Sequence, residues 1–105
     1  MTDRLAALTK LYDADPTDAD TAYMIALEHA KTGGIDEALS WLERAIQTDP
    51  EHHYAYYQQG RLLHEAGRGA EALAALDAGI ARASSAGAAK ADGELRALRE
   101  EVDAG

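Results

Sequence analysis

Residues 33–50 read GGIDEALSWLERAIQTDP, and residues 67–84 read GRGAEALAALDAGIARAS. Laid over each other at an offset of 34, they share Gly33/Gly67, Glu37-Ala38/Glu71-Ala72, Leu39/Leu73, Leu42/Leu76 and Ile46/Ile80. The same offset carries outward. Leu5 and Leu8 fall under Leu39 and Leu42, Asp15-Pro16 under Asp49-Pro50, and Tyr23 under Tyr57. Ala26 and Ala45 pair with Gly60 and Gly79, small with small. A single match carries little information, but a shared offset along most of a chain marks a structural repeat.

Each unit reads as two helices. Pro16-Thr17-Asp18 opens the first helix with polar caps ahead of an Ala/Leu run. Ala22, Ile25, Ala26 and His29 then share one face at helical spacing. Gly33-Gly34 closes that helix, because glycine accepts the left-handed exit turn. Asp36 is expected to cap a second helix with the stripe Ala38, Leu42, Ala45 and Ile46, which Asp49-Pro50 stops. The second unit repeats the plan with Tyr56, Gly60 and Leu63, then Gly67, then Ala72, Leu76, Gly79 and Ile80. The small residues on both stripes predict closely approaching helix pairs.

Composition agrees. Alanine fills 24 of 105 positions, Val and Pro are scarce, and Phe and Cys are absent. That favours helix over strand and excludes disulfides and thiolate metal sites. No apolar run approaches the ~20 residues of a membrane span, and the first residues lack a basic stretch followed by an apolar block. The expected location is the cytoplasm. Ten Lys+Arg against 19 Asp+Glu give a net charge of −9, which argues against nucleic acid or an anionic membrane as partner. Ordinary solubility explains the acidic surface more simply than salt adaptation does.

The ends read as caps. Leu5, Leu8, Leu11 and Tyr12 match the second helix of a unit whose first helix is missing. Ser84-Ser85-Ala86-Gly87 reads as a turn, after which Ala88, Ala91, Leu95, Leu98 and Val102 form an amphipathic final helix with Gly93 as a weak point in its first turns. The expected organisation is one domain over 1–105: a capping helix at 1–16, repeats at 19–52 and 53–86, and a second capping helix at 87–105.

The pattern resembles the tetratricopeptide repeat family, whose period is 34. Ala26, Gly33, Ala38, Leu42, Ala45 and Pro50 sit on the family pattern in one unit, and Tyr56, Gly60, Leu63, Gly67, Ala72 and Leu76 in the other. Ala22, His29, Gln59 and Ser84 depart from it. The resemblance implies an all-α fold: five to six helices in antiparallel pairs, stacked as a short right-handed superhelix with a concave and a convex side.

In such a stack the first helices line the concave side, and their positions off the core stripe are Asp20, Tyr23, Leu27 and Lys31 in one unit and Tyr54, Tyr57, Arg61, His64 and Glu65 in the other. Tyr54, Tyr57, Arg61 and His64 are spaced 3, 4 and 3 apart and share a helix face. Rings supply contact area at low entropic cost, and an arginine can clamp a carboxylate. The candidate peptide-binding residues are therefore Tyr23, Leu27, Lys31, Tyr54, Tyr57, Arg61 and His64. Family concave faces commonly hold a peptide, but Tyr23 and Leu27 stand where one subclass carries a Lys/Asn carboxylate clamp for chaperone tails, so that ligand is disfavoured. Two other readings stay open: a homodimer or assembly protein that pairs through this face or its end helices, and rings that simply pack on neighbouring helices.

Catalytic signals are weak. His52 and His53 are adjacent and point apart, and no acidic residue at helical spacing completes a metal set with His64. His29 is expected as a buried, hydrogen-bonded ring. No nucleophile motif and no phosphate-binding loop is present. The expectation is a non-enzymatic interaction module without cofactor or metal, its ligand a protein segment of basic or mixed character.

Overall fold

The computed structural model describes residues 3–105, which form six α-helices and no strand: α1 (Asp3–Ala14), α2 (Ala19–Lys31), α3 (Ile35–Thr48), α4 (His53–Glu65), α5 (Gly69–Ala86) and α6 (Ala89–Ala104). They gather into two compact units, Met1–Asp49 and Pro50–Gly105.

In the first unit α2 and α3 form an antiparallel pair, and α1 packs on α2. Asp18 caps α2 as expected. Its carboxylate accepts the Thr21 backbone N–H at 3.2 Å and the Thr21 hydroxyl at 2.7 Å, which satisfies one of the donors a helix start leaves open. The pair's core is Ala22, Ile25 and Ala26 against Ala38, Leu42 and Ala45, all at most 1% exposed. Tyr12 of α1 meets Trp41 of α3 edge-on, with ring centroids 4.9 Å apart, and the Arg44 guanidinium lies 4.3 Å from the Trp41 ring centroid.

In the second unit α4 and α5 form the equivalent pair, and α6 packs on both. Tyr56, Gly60 and Leu63 face Ala72, Leu76 and Gly79 across the core. The approach is close. A Cβ built on Gly60 would lie 2.5 Å from Leu76, and one on Gly79 would lie 2.6 Å from Tyr56 Cβ. The Tyr56 hydroxyl donates to the Pro50 carbonyl at 2.8 Å, so a buried ring keeps its polar end satisfied. α6 buries Ala91, Leu95, Leu98 and Val102 of the predicted stripe, while Ala88, its fifth member, is the half-buried N-cap before the helix.

One exit motif closes three helices. Gly34 N–H donates to His29 C=O and Gly33 N–H to Ala30 C=O at the end of α2. Arg68 to Leu63 and Gly67 to His64 repeat this after α4, and Ala88 to Ala83 and Gly87 to Ser84 after α5. The glycines carry φ of +80, +76 and +69, the left-handed geometry this motif requires.

Three local expectations need correction. Ser84 and Ser85 do not form a turn; they lie inside α5, because the first residue able to adopt the left-handed exit is Gly87. Asp36 does not cap α3. The cap is Gly34, without a side-chain bond, and Asp36 sits in the first turn, where its charge complements the helix dipole. His29 is half-buried rather than buried: it lies on the last turn of α2, at the rim, where an imidazole keeps access to water.

Candidate functional site

The side chains singled out from the sequence lie on two helices. On α2, Tyr23 and Leu27 are half-buried and Lys31 is exposed. Lys31 does not stand alone, because its ammonium is 2.9 Å from Glu28 Oε1. Glu28 also receives Arg4 Nε of α1 at 2.8 Å, although its side chain is only 8% exposed. The hydrogen bond from Lys31 and then the contact with Arg4 hold the Glu28 carboxyl below the ordinary carboxylate range, against burial that pushes it up. Sequence reasoning missed this residue. The Glu28/Lys31 spacing was its one visible signal; Arg4 lies 24 residues away.

On α4, Tyr54, Tyr57, Arg61 and His64 share the face predicted for them. Tyr54 is 37% exposed, Tyr57 and Arg61 are half-buried, and His64 is exposed. The core residues Tyr56, Gly60 and Leu63 point elsewhere, into α5, so the face is not consumed by pairing. Arg61 is already engaged. Its Nε donates to Gln58 Oε1 at 2.8 Å and a terminal nitrogen to Glu65 Oε1 at 2.8 Å, so a ligand carboxylate has to displace those partners.

α6 runs alongside α4 in the same direction. The Tyr54 hydroxyl is 3.4 Å from Glu94 Oε1, and a Cβ built on Gly105 would lie 3.8 Å from His64 Cε1. The final helix thus covers the stripe of the last repeat and also borders the exposed face of α4.

An open groove of about 370 Å³ between α5 and α6 is lined by Asp77, Ile80, Arg96, Arg99 and Glu100. Its cations are internally paired. Arg99 Nε donates to Asp77 at 2.6 Å and Arg96 Nε to Asp92 at 2.8 Å. Hydrogen bonding to Arg99 lowers the Asp77 carboxyl and raises the Arg99 guanidinium. Among the described residues no group of three or more His, Cys, Asp or Glu is gathered as metal donors. No helix among them is long and apolar enough to cross a membrane.

Two-helix units closed by glycine exits and packed through small residues define a helical-repeat protein. Residues 2–79 match the family described as anaphase-promoting complex, cyclosome, subunit 3, and the chain belongs to this tetratricopeptide-type family. A tetratricopeptide repeat domain protein from Salinibacter ruber is 30% identical over 83% of this chain and 97% of its own, with a TM-score of 0.76. The TPR2B domain of yeast Sti1, solved as a complex with pHsp70, is 24% identical over 94% of this chain and 79% of its own, with a TM-score of 0.88. SycD, the type III secretion translocator chaperone of Yersinia enterocolitica, is 15% identical over 96% of this chain and 70% of its own, with a TM-score of 0.85. These last two share the fold alone. No curated protein matches the chain. The all-α tetratricopeptide fold expected from the sequence is the fold of this protein, a class of interaction scaffold.

Proposed function

We propose that this chain is a non-enzymatic interaction module that binds a peptide or protein segment on the first helices of its repeats. The observation that carries the reading is the face of α4. Two tyrosines, an arginine and a histidine line it at helical spacing, and the helix spends a different face on its own core. Tyr23, Leu27 and Lys31 give α2 a comparable off-core set. Half-exposed rings beside polar groups are the composition of recognition surfaces rather than of solvated ones. The complex of the Sti1 domain with pHsp70 supports the same kind of role for this fold. A net charge of −9 favours a basic or mixed segment over nucleic acid, and the cytoplasm is the compartment this reading assumes.

The test is affinity capture with the wild type and a Tyr57→Ala/Arg61→Ala double variant. The double variant is expected to lose the captured protein. Equal capture by both removes α4 as the binding surface. Self-association is favoured by one observation, Leu11 on α1, which is 57% exposed. Sedimentation across a concentration range decides it: a wild type that dimerises and a Leu11→Ser variant that does not establish pairing through α1.

A further inference from the structure

The exposed face of α4 is bordered by a carboxylate that α4 does not supply. We propose that Tyr54 of α4 and Glu94 of α6 form a subsite for the guanidinium of an arginine carried by the bound segment. This rests on reading α4 as the binding surface, and it names the side chain that surface selects.

Four observations support it. Tyr54 is one of two large side chains of apolar character exposed among the described residues, at 37%, so part of it is within reach of a flat cation from solvent. Glu94 is half-buried, and the Tyr54 hydroxyl lies 3.4 Å from its Oε1, a long contact that a stronger donor can replace. The neighbouring arginines are committed elsewhere: Arg61 to Gln58 and Glu65, Arg96 to Asp92, Arg99 to Asp77 and Arg82 to Glu51. The protein also makes the same kind of arrangement within itself, where the Arg44 guanidinium lies 4.3 Å from the Trp41 centroid. Arginine is favoured over lysine because a planar guanidinium stacks on the ring while its forked donors reach the acid. Lys90, one turn before Glu94, is the internal competitor. It carries a point charge that can approach the carboxylate but cannot stack.

The probe is N-acetyl-arginine amide, titrated into labelled protein and followed by NMR at the Tyr54 ring and the Glu94 side chain. The control is N-acetyl-citrulline amide, which keeps the shape and lacks the charge. Saturable shifts at both residues are expected with arginine, with affinity about tenfold weaker for citrulline and about fivefold to tenfold weaker in Glu94→Gln. Tyr54→Phe keeps the ring and should bind nearly as wild type; Tyr54→Leu should not. Thermal melts of each variant confirm that the fold is intact. Equal binding of citrulline, or arginine binding indifferent to Glu94→Gln, overturns the subsite. Capture lost in Tyr57→Ala/Arg61→Ala but arginine binding absent removes the subsite alone. Arginine binding present with capture unaffected removes the wider reading of α4 and leaves the subsite.

Discussion

The pairs α2/α3 and α4/α5 are built on the same repeat and fill their cores differently. Where the first pair has Ala22 and Ala45, the second has Tyr56 and Gly79. Both arrangements are nearly closed to solvent, since Ala22 and Ala45 are 1% and 0% exposed and Tyr56 is 6% exposed. A large ring entered one helix, and the facing position gave up its one side-chain carbon, which clears the contact at Tyr56 Cβ. Close packing makes such trades obligatory, because a well-filled core tolerates neither added methylenes nor voids. The repeat therefore fixes backbone positions and leaves the division of volume to each pair.

The sharpest test is a cycle on the second pair. Tyr56→Ala should cost about 3 kcal/mol through a cavity and the lost bond to Pro50. Gly79→Ala should cost about 2 kcal/mol, because the new methyl meets Tyr56 Cβ, an atom tied to backbone. The double variant recreates the Ala/Ala arrangement of the first pair and should cost less than the sum by about 1 kcal/mol or more. Urea unfolding measures all three. Strict additivity would break the idea that the two positions share one volume. Gly60→Ala ranks next, at about 1–2 kcal/mol, since the obstructing Leu76 is a side chain that can partly yield.

The caps give the smallest effects. Asp18 at the start of α2 corresponds to His52 at the start of α4, which makes no side-chain cap bond. Asp18→Ala should cost about 1 kcal/mol, and His52→Asp should recover a few tenths to 1 kcal/mol in α4. The Asp18 contribution has a defined pH dependence. Hydrogen bonds from the Thr21 hydroxyl and then its N–H lower the carboxyl in the folded state. Its stabilisation is full above the unfolded value and fades as the pH falls through the folded one. Melting temperatures of wild type and Asp18→Asn should therefore converge in acid; a constant difference down to strongly acidic pH contradicts this account.

The repeat, the glycine exits and the core stripes were legible because each is a local pattern with a physical period. Ala38, Leu42, Ala72 and Leu76 could be assigned to the core by spacing alone. Polar pairs between distant helices left no such trace. Arg4 with Glu28, Arg99 with Asp77 and Tyr54 with Glu94 are 24, 22 and 40 residues apart. The Ser84-Ser85 reading failed for a related reason. Two serines look like a turn in isolation, but a helix continues until some residue offers a way out, and here that residue is Gly87. The face of α4 was visible in its spacing, while its border with α6 required the fold.

The meeting of Tyr12 with Trp41 has a practical consequence. The chain has one tryptophan, and an aromatic neighbour from the opening helix touches it. Indole emission therefore serves as an optical gauge of whether that helix is seated. Its departure alters the fluorescence while far-ultraviolet ellipticity changes little. Comparing the two signals during gentle heating separates fraying at one edge from melting of the whole molecule.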